Sequence, residues 1–235
     1  MERLPILMYH NVAEGNQSAG GLTISEHLLE RHFRYLSENK YVTFHLQELE
    51  HKTELPKKSV VITFDDVTVN QQFAVALLQK YNLKATFFIP FAYVGKTDQW
   101  NNGEETIMSY DDLKSLPPNI ELGYHSFAHR KYAALSETEI NQDFQQCFEQ
   151  IRENGLSMHQ SVAYPYGNYP KKEPAKSQFQ EVLKRNGIQM GLRIGNAVNK
   201  FPFKDPYEIK RIDIKGEDNL LRFRIKLRFG KLKLF

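Results

Sequence analysis

Ser59-Val60-Val61-Ile62-Thr63-Phe64-Asp65-Asp66 is the stretch from which the fold can be read. Its first six residues are mostly β-branched or aromatic and show no polar alternation, which predicts a strand over 59–64 covered on both faces. Such strands belong to parallel sheets with helices packed against them. The neighbouring sequence keeps that rhythm. Leu4–His10, Tyr41–Phe44, Lys84–Ile89, Ile120–Tyr124, Ser161–Tyr164, Met190–Ile194 and Ile209–Ile214 read as further strands. Between them lie helical patterns: one capped by Ser25 and running to about Asn39, then Gln71–Tyr81, Tyr110–Leu116, Ser136 to Gly155, and Ala175–Arg185. Ser136 with Glu139 has the form of a capping box, and Gly155 closes that helix. About seven strand–helix units in one chain favour a single α/β domain, a closed (β/α) barrel, over two domains.

A length of 235 residues suits one large core, and 41% hydrophobic with 25% charged residues is ordinary globular usage. This excludes disordered, collagen-like and coiled-coil classes. No run of 18 apolar residues is present, and the apolar run at the N-terminus is too short for a signal peptide. The expectation is a cytoplasmic protein. One cysteine, Cys147, allows no intrachain disulfide and falls on the apolar helical face of Ile140, Phe144 and Ile151, where a small buried side chain is expected. Net charge is +3, unevenly placed: residues 221–235 hold six bases (Arg222, Arg224, Lys226, Arg228, Lys231, Lys233) and no acid. Removing those six leaves the first 220 residues at −3. The pattern does not suit nucleic acid, whose partners carry basic residues across one face of the fold.

In (β/α) barrels the active site lies at the C-terminal ends of the strands. Asp65-Asp66 follow the strand 59–64, two adjacent carboxylates that need a compensating cation or proton. His125-Ser126-Phe127-Ala128-His129 follows Ile120–Tyr124, with two histidines four apart, as on one side of a helical turn. Tyr164-Pro165-Tyr166-Gly167 follows the strand beginning at Ser161, a rigid turn suited to aiming a backbone N–H. Each taken singly has an ordinary structural reading: an acidic pair at a helix start, an incidental histidine pair, a turn. Together they supply a His-His-Asp set with a spare carboxylate, the equipment for metal-assisted hydrolysis of an amide or ester. The histidines at 27, 32, 45, 51 and 159 are expected on helix surfaces or in a polar loop, exposed to solvent.

Thr63-Phe64-Asp65-Asp66, His125-Ser126-Phe127-Ala128-His129 and Tyr164-Pro165-Tyr166-Gly167, in this order and spacing, resemble the first three motifs of the polysaccharide deacetylase family. Ala85-Thr86-Phe87-Phe88-Ile89 is similar to the family's next strand, and Met8-Tyr9-His10 to the opening of one bacterial branch. The resemblance spans roughly residues 4–214. It implies a distorted (β/α)7 TIM-like barrel, with Asp65 as general base and Asp66, His125 and His129 as ligands of a divalent metal, usually zinc. It also implies that the backbone N–H of Tyr166, set by Tyr164 and Pro165, stabilises the oxyanion. The implied reaction removes N-acetyl groups from the sugars of a bacterial surface polysaccharide or its precursor, such as polymers of N-acetylglucosamine.

The sequence departs from that pattern in three places. Val67-Thr68 stand where glycine and an aromatic are usual, and a β-branched residue resists positive φ, so the loop bearing the aspartates is expected to take a different path. Ala163 replaces an arginine that would hold the base, leaving the partner of Asp65 open. The late histidine that would protonate the leaving amine is absent. His10, at the end of the first strand, is a candidate substitute, and Asp213, in Arg211-Ile212-Asp213, a candidate to orient a catalytic group. Two rival readings follow: O-deacetylation, which needs a weaker acid, and a glycan-binding protein without activity.

The barrel is assigned to residues 1–220 and a basic amphipathic tail to 221–235. The tail alternates basic and apolar residues, which fits an amphipathic strand, while its composition also suits a helix lying on a membrane surface. Contact with anionic lipid at the inner membrane face is one expectation and a solvated face the other.

Overall fold

The computed structural model describes residues 2–17 and 20–231. Seven parallel strands close into a barrel: β1 (Ile6–Tyr9), β2 (Ser59–Asp65), β3 (Ala85–Ile89), β4 (Ile120–Tyr124), β5 (Ser161–Ala163), β6 (Met190–Ile194) and β7 (Ile209–Asp213). Each pairs with the next in sequence, and β7 returns to β1 through Ile212 opposite Leu7. The ring is thinnest between β4 and β5, whose register is Tyr124 opposite Val162 alone. Among the described residues six α-helices accompany it: α1 (Glu26–Glu38), α2 (Gln72–Lys80), α3 (Tyr110–Ser115), α4 (Glu137–Asn154), α5 (Ala175–Arg185) and α6 (Leu220–Phe229). Local chemistry starts them. Ser25 accepts from Leu28 N, Ser109 and Ser136 both form complete capping boxes, and Gly155 ends α4 at φ 65°.

Two apolar layers result. The larger lies between strands and helices; the smaller fills the barrel with Ile6, Val61, Phe88, Leu192 and Ile209, joined by Phe44, Leu46 and Leu49. Alternation along a strand decides what faces inward. Val61, Thr63 and Asp65 on β2 and Ile209, Arg211 and Asp213 on β7 share these inward positions, so polar groups rise on apolar ones toward the C-terminal mouth. Gly123 on β4 is required there, since a Cβ would stand 2.6 Å from the Phe88 ring.

Two expectations from sequence are corrected. His32 is fully buried on α1, bonded to Tyr9 Oη (3.3 Å) and the Asp218 carbonyl (2.8 Å) and stacked on Phe223 at 4.0 Å. His159 is also buried, 2.6 Å from Glu50. Each fills a gap lined by polar partners that lie far away in sequence. Of the two forms open to the basic tail, residues Leu220–Phe229 take the helix; Lys233 lies outside the described residues. No helix among the described residues is long and apolar enough to cross a membrane.

Candidate active site

β2 delivers Asp65 as its last residue, and Asp66 and Val67 follow at φ 75° and 47°. The valine therefore adopts the left-handed conformation that its branched side chain resists. Its side chain is wholly buried, its carbonyl accepts from Met108 N (2.9 Å), and Gln71 Nε2 donates to the Asp65 carbonyl (2.6 Å). Core packing and hydrogen bonds thus override local preference, and Val67 takes the positive φ that its branched side chain resists. Among the described residues ten non-glycine residues have positive φ, and five of them (Asp66, Val67, Ser126, His129, Tyr166) surround this mouth. Such strain collects where function fixes side-chain direction.

His125 and His129 leave β4 in an extended loop with left-handed turns at Ser126 and His129, so the helical turn expected from their spacing is absent. Asp143 of α4 holds this loop: its Oδ2 accepts from Phe127 N (2.9 Å) and sits 3.4 Å from Tyr132 Oη. Burial lifts the Asp143 carboxyl to about 6 against those bonds. His125 Nδ1 donates to the Ala163 carbonyl (2.8 Å), which leaves Nε2 as the lone-pair nitrogen aimed into the site.

Asp66 Oδ1, His125 Nε2 and His129 Nε2 converge, with separations of 3.5, 3.4 and 3.2 Å. Tetrahedral ligands at bonds of about 2.0–2.1 Å stand roughly 3.3 Å apart, so the three atoms fit a zinc-sized ion. Asp66 Oδ1 is buried without a hydrogen-bond partner among the described residues. Burial, then the charges of Asp65 and Asp98, push this carboxyl well above the usual range. Burial pushes His125 down to about 4 and His129 to about 2, keeping both rings neutral as ligands must be. Trp100 stacks on His129 at 4.2 Å.

Asp65 has a different environment. Arg211 reaches it from β7 with Nη1 2.5 Å from Oδ1 and Nη2 2.7 Å from Oδ2, a bidentate pair wholly inside the barrel. Burial raises the Asp65 carboxyl, but Arg211, His125 and His10 outweigh it and hold the group well below the usual carboxylate range. His10 Nε2 lies 3.7 Å from Asp65 Oδ2. Its burial lowers the imidazole below the ordinary value against the pull of Asp65. Asp213 borders the same cavity, with Oδ1 buried and unpartnered among the described residues.

The cavity has a volume of about 320 Å³. Leu22, Trp100, Tyr166 and Ile194 form its apolar walls and Asp65, Asp66, both histidines, His10 and Arg211 its polar floor. Tyr166 sits at φ 58° with half its surface exposed and its ring 4.7 Å from His129. Pro165 is buried beneath it, and Tyr164 is buried with its hydroxyl on the Tyr207 carbonyl (2.9 Å).

The structure therefore gathers Asp65, Asp66, His125, His129, His10, Tyr164, Tyr166 and Asp213 at one mouth, with Pro165 packed below. It adds three residues that the sequence reading missed: Arg211, Asp143 and Trp100. Arg211 had a signal, since period-two alternation places it on the same strand face as Asp213.

Among known families, the one described as polysaccharide deacetylase matches residues 52–191. YxkH of Bacillus subtilis (strain 168), assigned by name to the polysaccharide deacetylases, is 28% identical over 199 residues, 81% of this chain and 64% of its own length. The chain thus spans less than two thirds of that relative. IcaB from Ammonifex degensii superposes with a TM-score of 0.78 at 20% identity, covering 97% of this chain and 98% of its own. The Streptococcus pyogenes deacetylase PplD, solved in complex with acetate, gives 0.74 at 20%, covering 98% and 99%. At such identities the likeness is one of fold.

Proposed function

The chain belongs to the polysaccharide deacetylase family, and from that premise we propose that it is a metal-dependent hydrolase removing N-acetyl groups from the sugars of a bacterial surface glycan or its precursor. The observation that carries this reading is the convergence of Asp66, His125 and His129 beside an Asp65 kept ionised by Arg211.

A divalent ion, zinc by the fit of the donor set, would polarise the acetyl carbonyl and acidify water when held by Asp66, His125 and His129. Asp65 takes a proton from the attacking water as the C–O bond forms. Arg211 fixes its plane and makes it a reluctant holder of that proton. His10, neutral at rest and 3.7 Å from Asp65 Oδ2, is placed to receive the proton and pass it to the leaving nitrogen as the C–N bond breaks. The products are acetate and a free amino sugar. Tyr166, in its left-handed turn, is assigned the N–H that faces the developing oxyanion. The apolar walls of Trp100, Tyr166, Leu22 and Ile194 suit a sugar ring and an acetyl methyl group.

His10 in this position offers the acid whose absence motivated the O-deacetylase reading, and Val67 takes the positive φ whose expected loss was one motive for an inactive binder, which supports N-deacetylation over both. Acetate release is to be assayed over a panel of N-acetylated and O-acetylated glycans, with Asp65→Asn as control. Release from N-acetylated glycans by metal-loaded wild type alone supports the reading. Wild type equal to the variant on every substrate overturns it.

A further inference from the structure

A surface helix ordinarily has one apolar face, turned to the core. α6 has two. Phe223 and Leu227 are buried inward, Phe223 against His32 and Tyr35. At 100° per residue the opposite face carries Leu221, Ile225 and Phe229 in line, flanked by Arg224 and Arg228 on one side and Arg222 on the other. Leu221 is 63% exposed and Phe229 50%, among the most exposed large apolar side chains described. Beside this stripe runs a groove of about 640 Å³ in which Arg3 and Lys58 join Arg224 and Arg228, and no carboxylate lines it. Arg3, Pro5, Lys58 and Ser59 stand at the N-terminal ends of β1 and β2, the opposite end of those strands from Asp65 and His10. The helix is firmly seated. Asn219 caps it, Lys226 pairs with Asp218, and His32 bonds the Asp218 carbonyl.

We propose that the outer face of α6, with the adjoining groove, is a docking surface for an anionic lipid bilayer. Leu221, Ile225 and Phe229 enter the headgroup layer, and Arg3, Lys58, Arg222, Arg224 and Arg228 contact lipid phosphates. Charge complementarity selects this occupant. Five cations frame an apolar stripe with no acid among the groove residues, on a chain whose first 220 residues are net acidic. Arginine stems can lie along the apolar stripe while their heads stay at the phosphate level. The Arg3–Lys58 end of this surface lies away from Asp65 and His10, while Arg222 and Ile225 border a second cavity that includes Asp213.

The metal-loaded 235-residue chain is tested by co-sedimentation with phosphatidylglycerol-containing vesicles and with pure phosphatidylcholine vesicles, at low and high salt. Preferential binding to the anionic vesicles is expected, weakened by salt. Arg222→Gln/Arg224→Gln/Arg228→Gln lowers the partition coefficient roughly 100-fold, at about fivefold per cation. Leu221→Ser/Phe229→Ser lowers it at least tenfold, with hydrolysis of a soluble substrate and circular dichroism unchanged. Absence of anionic-vesicle binding by wild type, or equal binding by all three proteins, overturns the proposal. So does concentration-dependent self-association lost in Leu221→Ser/Phe229→Ser without vesicle binding, which would make a second copy the occupant.

Discussion

Arg211 grips Asp65 through both carboxylate oxygens, across 146 residues of sequence and with both side chains buried. The pair is the charge balance of the barrel mouth, because Asp66 lies beside Asp65 and is buried as well. Removing the cation leaves two buried carboxyl groups side by side, a loss of about 3–5 kcal/mol for one broken buried pair. Arg211→Met is therefore expected to lower Tm by about 10 °C, measured calorimetrically. Arg211→Lys keeps a charge but loses the fork. It should fold near normally and lose at least about 100-fold in kcat, because the plane of Asp65 is no longer fixed.

Asp66 separates metal binding from stability. Stripped of metal by a chelator, the wild type should be stabilised by several degrees when zinc is returned, about 2.7 kcal/mol at 100 times Kd. Asp66→Asn removes the buried charge that burial and Asp65 disfavour. In chelator it should match or exceed the wild type in urea stability, and added zinc should not raise it. A zinc-dependent rise in Asp66→Asn would show that the ion is held elsewhere.

Asp143 acts through the histidine loop and touches no reacting group. Asp143→Asn puts an NH₂ or a single acceptor where Phe127 N and Tyr132 Oη now converge on a carboxylate. Metal affinity should fall about 10–100-fold, read by competition with a chromophoric chelator, while kcat at saturating metal recovers most of its value. A kcat that stays low at saturating metal would mean that the loop sets more than ligand position.

The barrel was legible because its signals are local. Ser59–Phe64 and Ala85–Ile89 are largely apolar, Ile120–Tyr124 is apolar but for Glu121, their pairing follows sequence order, and the strand-end rule puts Asp65, His125 and Tyr164 at one mouth. Arg211 was not read, although the question it answers (what balances Asp65) was open. Its partner is remote, and only strand alternation with Asp213 marked it as inward-facing. Val67 misled because propensity is a local preference of order 1 kcal/mol, outweighed here by complete burial and the Met108 hydrogen bond. His32 and His159 misled for a related reason: a histidine on a polar helix or loop reads as solvated until tertiary partners are known.

His32 gives the stability a pH dependence whose sign can be worked out. Burial pushes its imidazole down to about 3, with the Asp218 carbonyl bond opposing only in part. In the unfolded chain the group titrates near 6.5. Between those values the unfolded state binds a proton and the folded state does not, so stability falls as pH drops below about 6.5 and the loss is complete near pH 3. The slope from this residue alone is about 1.4 kcal/mol per pH unit. The buried histidines of the metal site and the carboxylates add slopes of their own, so the measurement is a difference. Urea unfolding of wild type and His32→Gln, both in chelator, is compared from pH 6.5 down to about 4. Glutamine keeps donors and acceptors for Tyr9 and Asp218 and cannot take the proton. The wild type is expected to lose stability more steeply by about 1.4 kcal/mol per unit. Parallel curves would mean that His32 accepts a proton in place, with the Asp218 carbonyl and Tyr9 hydroxyl solvating the charge that burial should forbid.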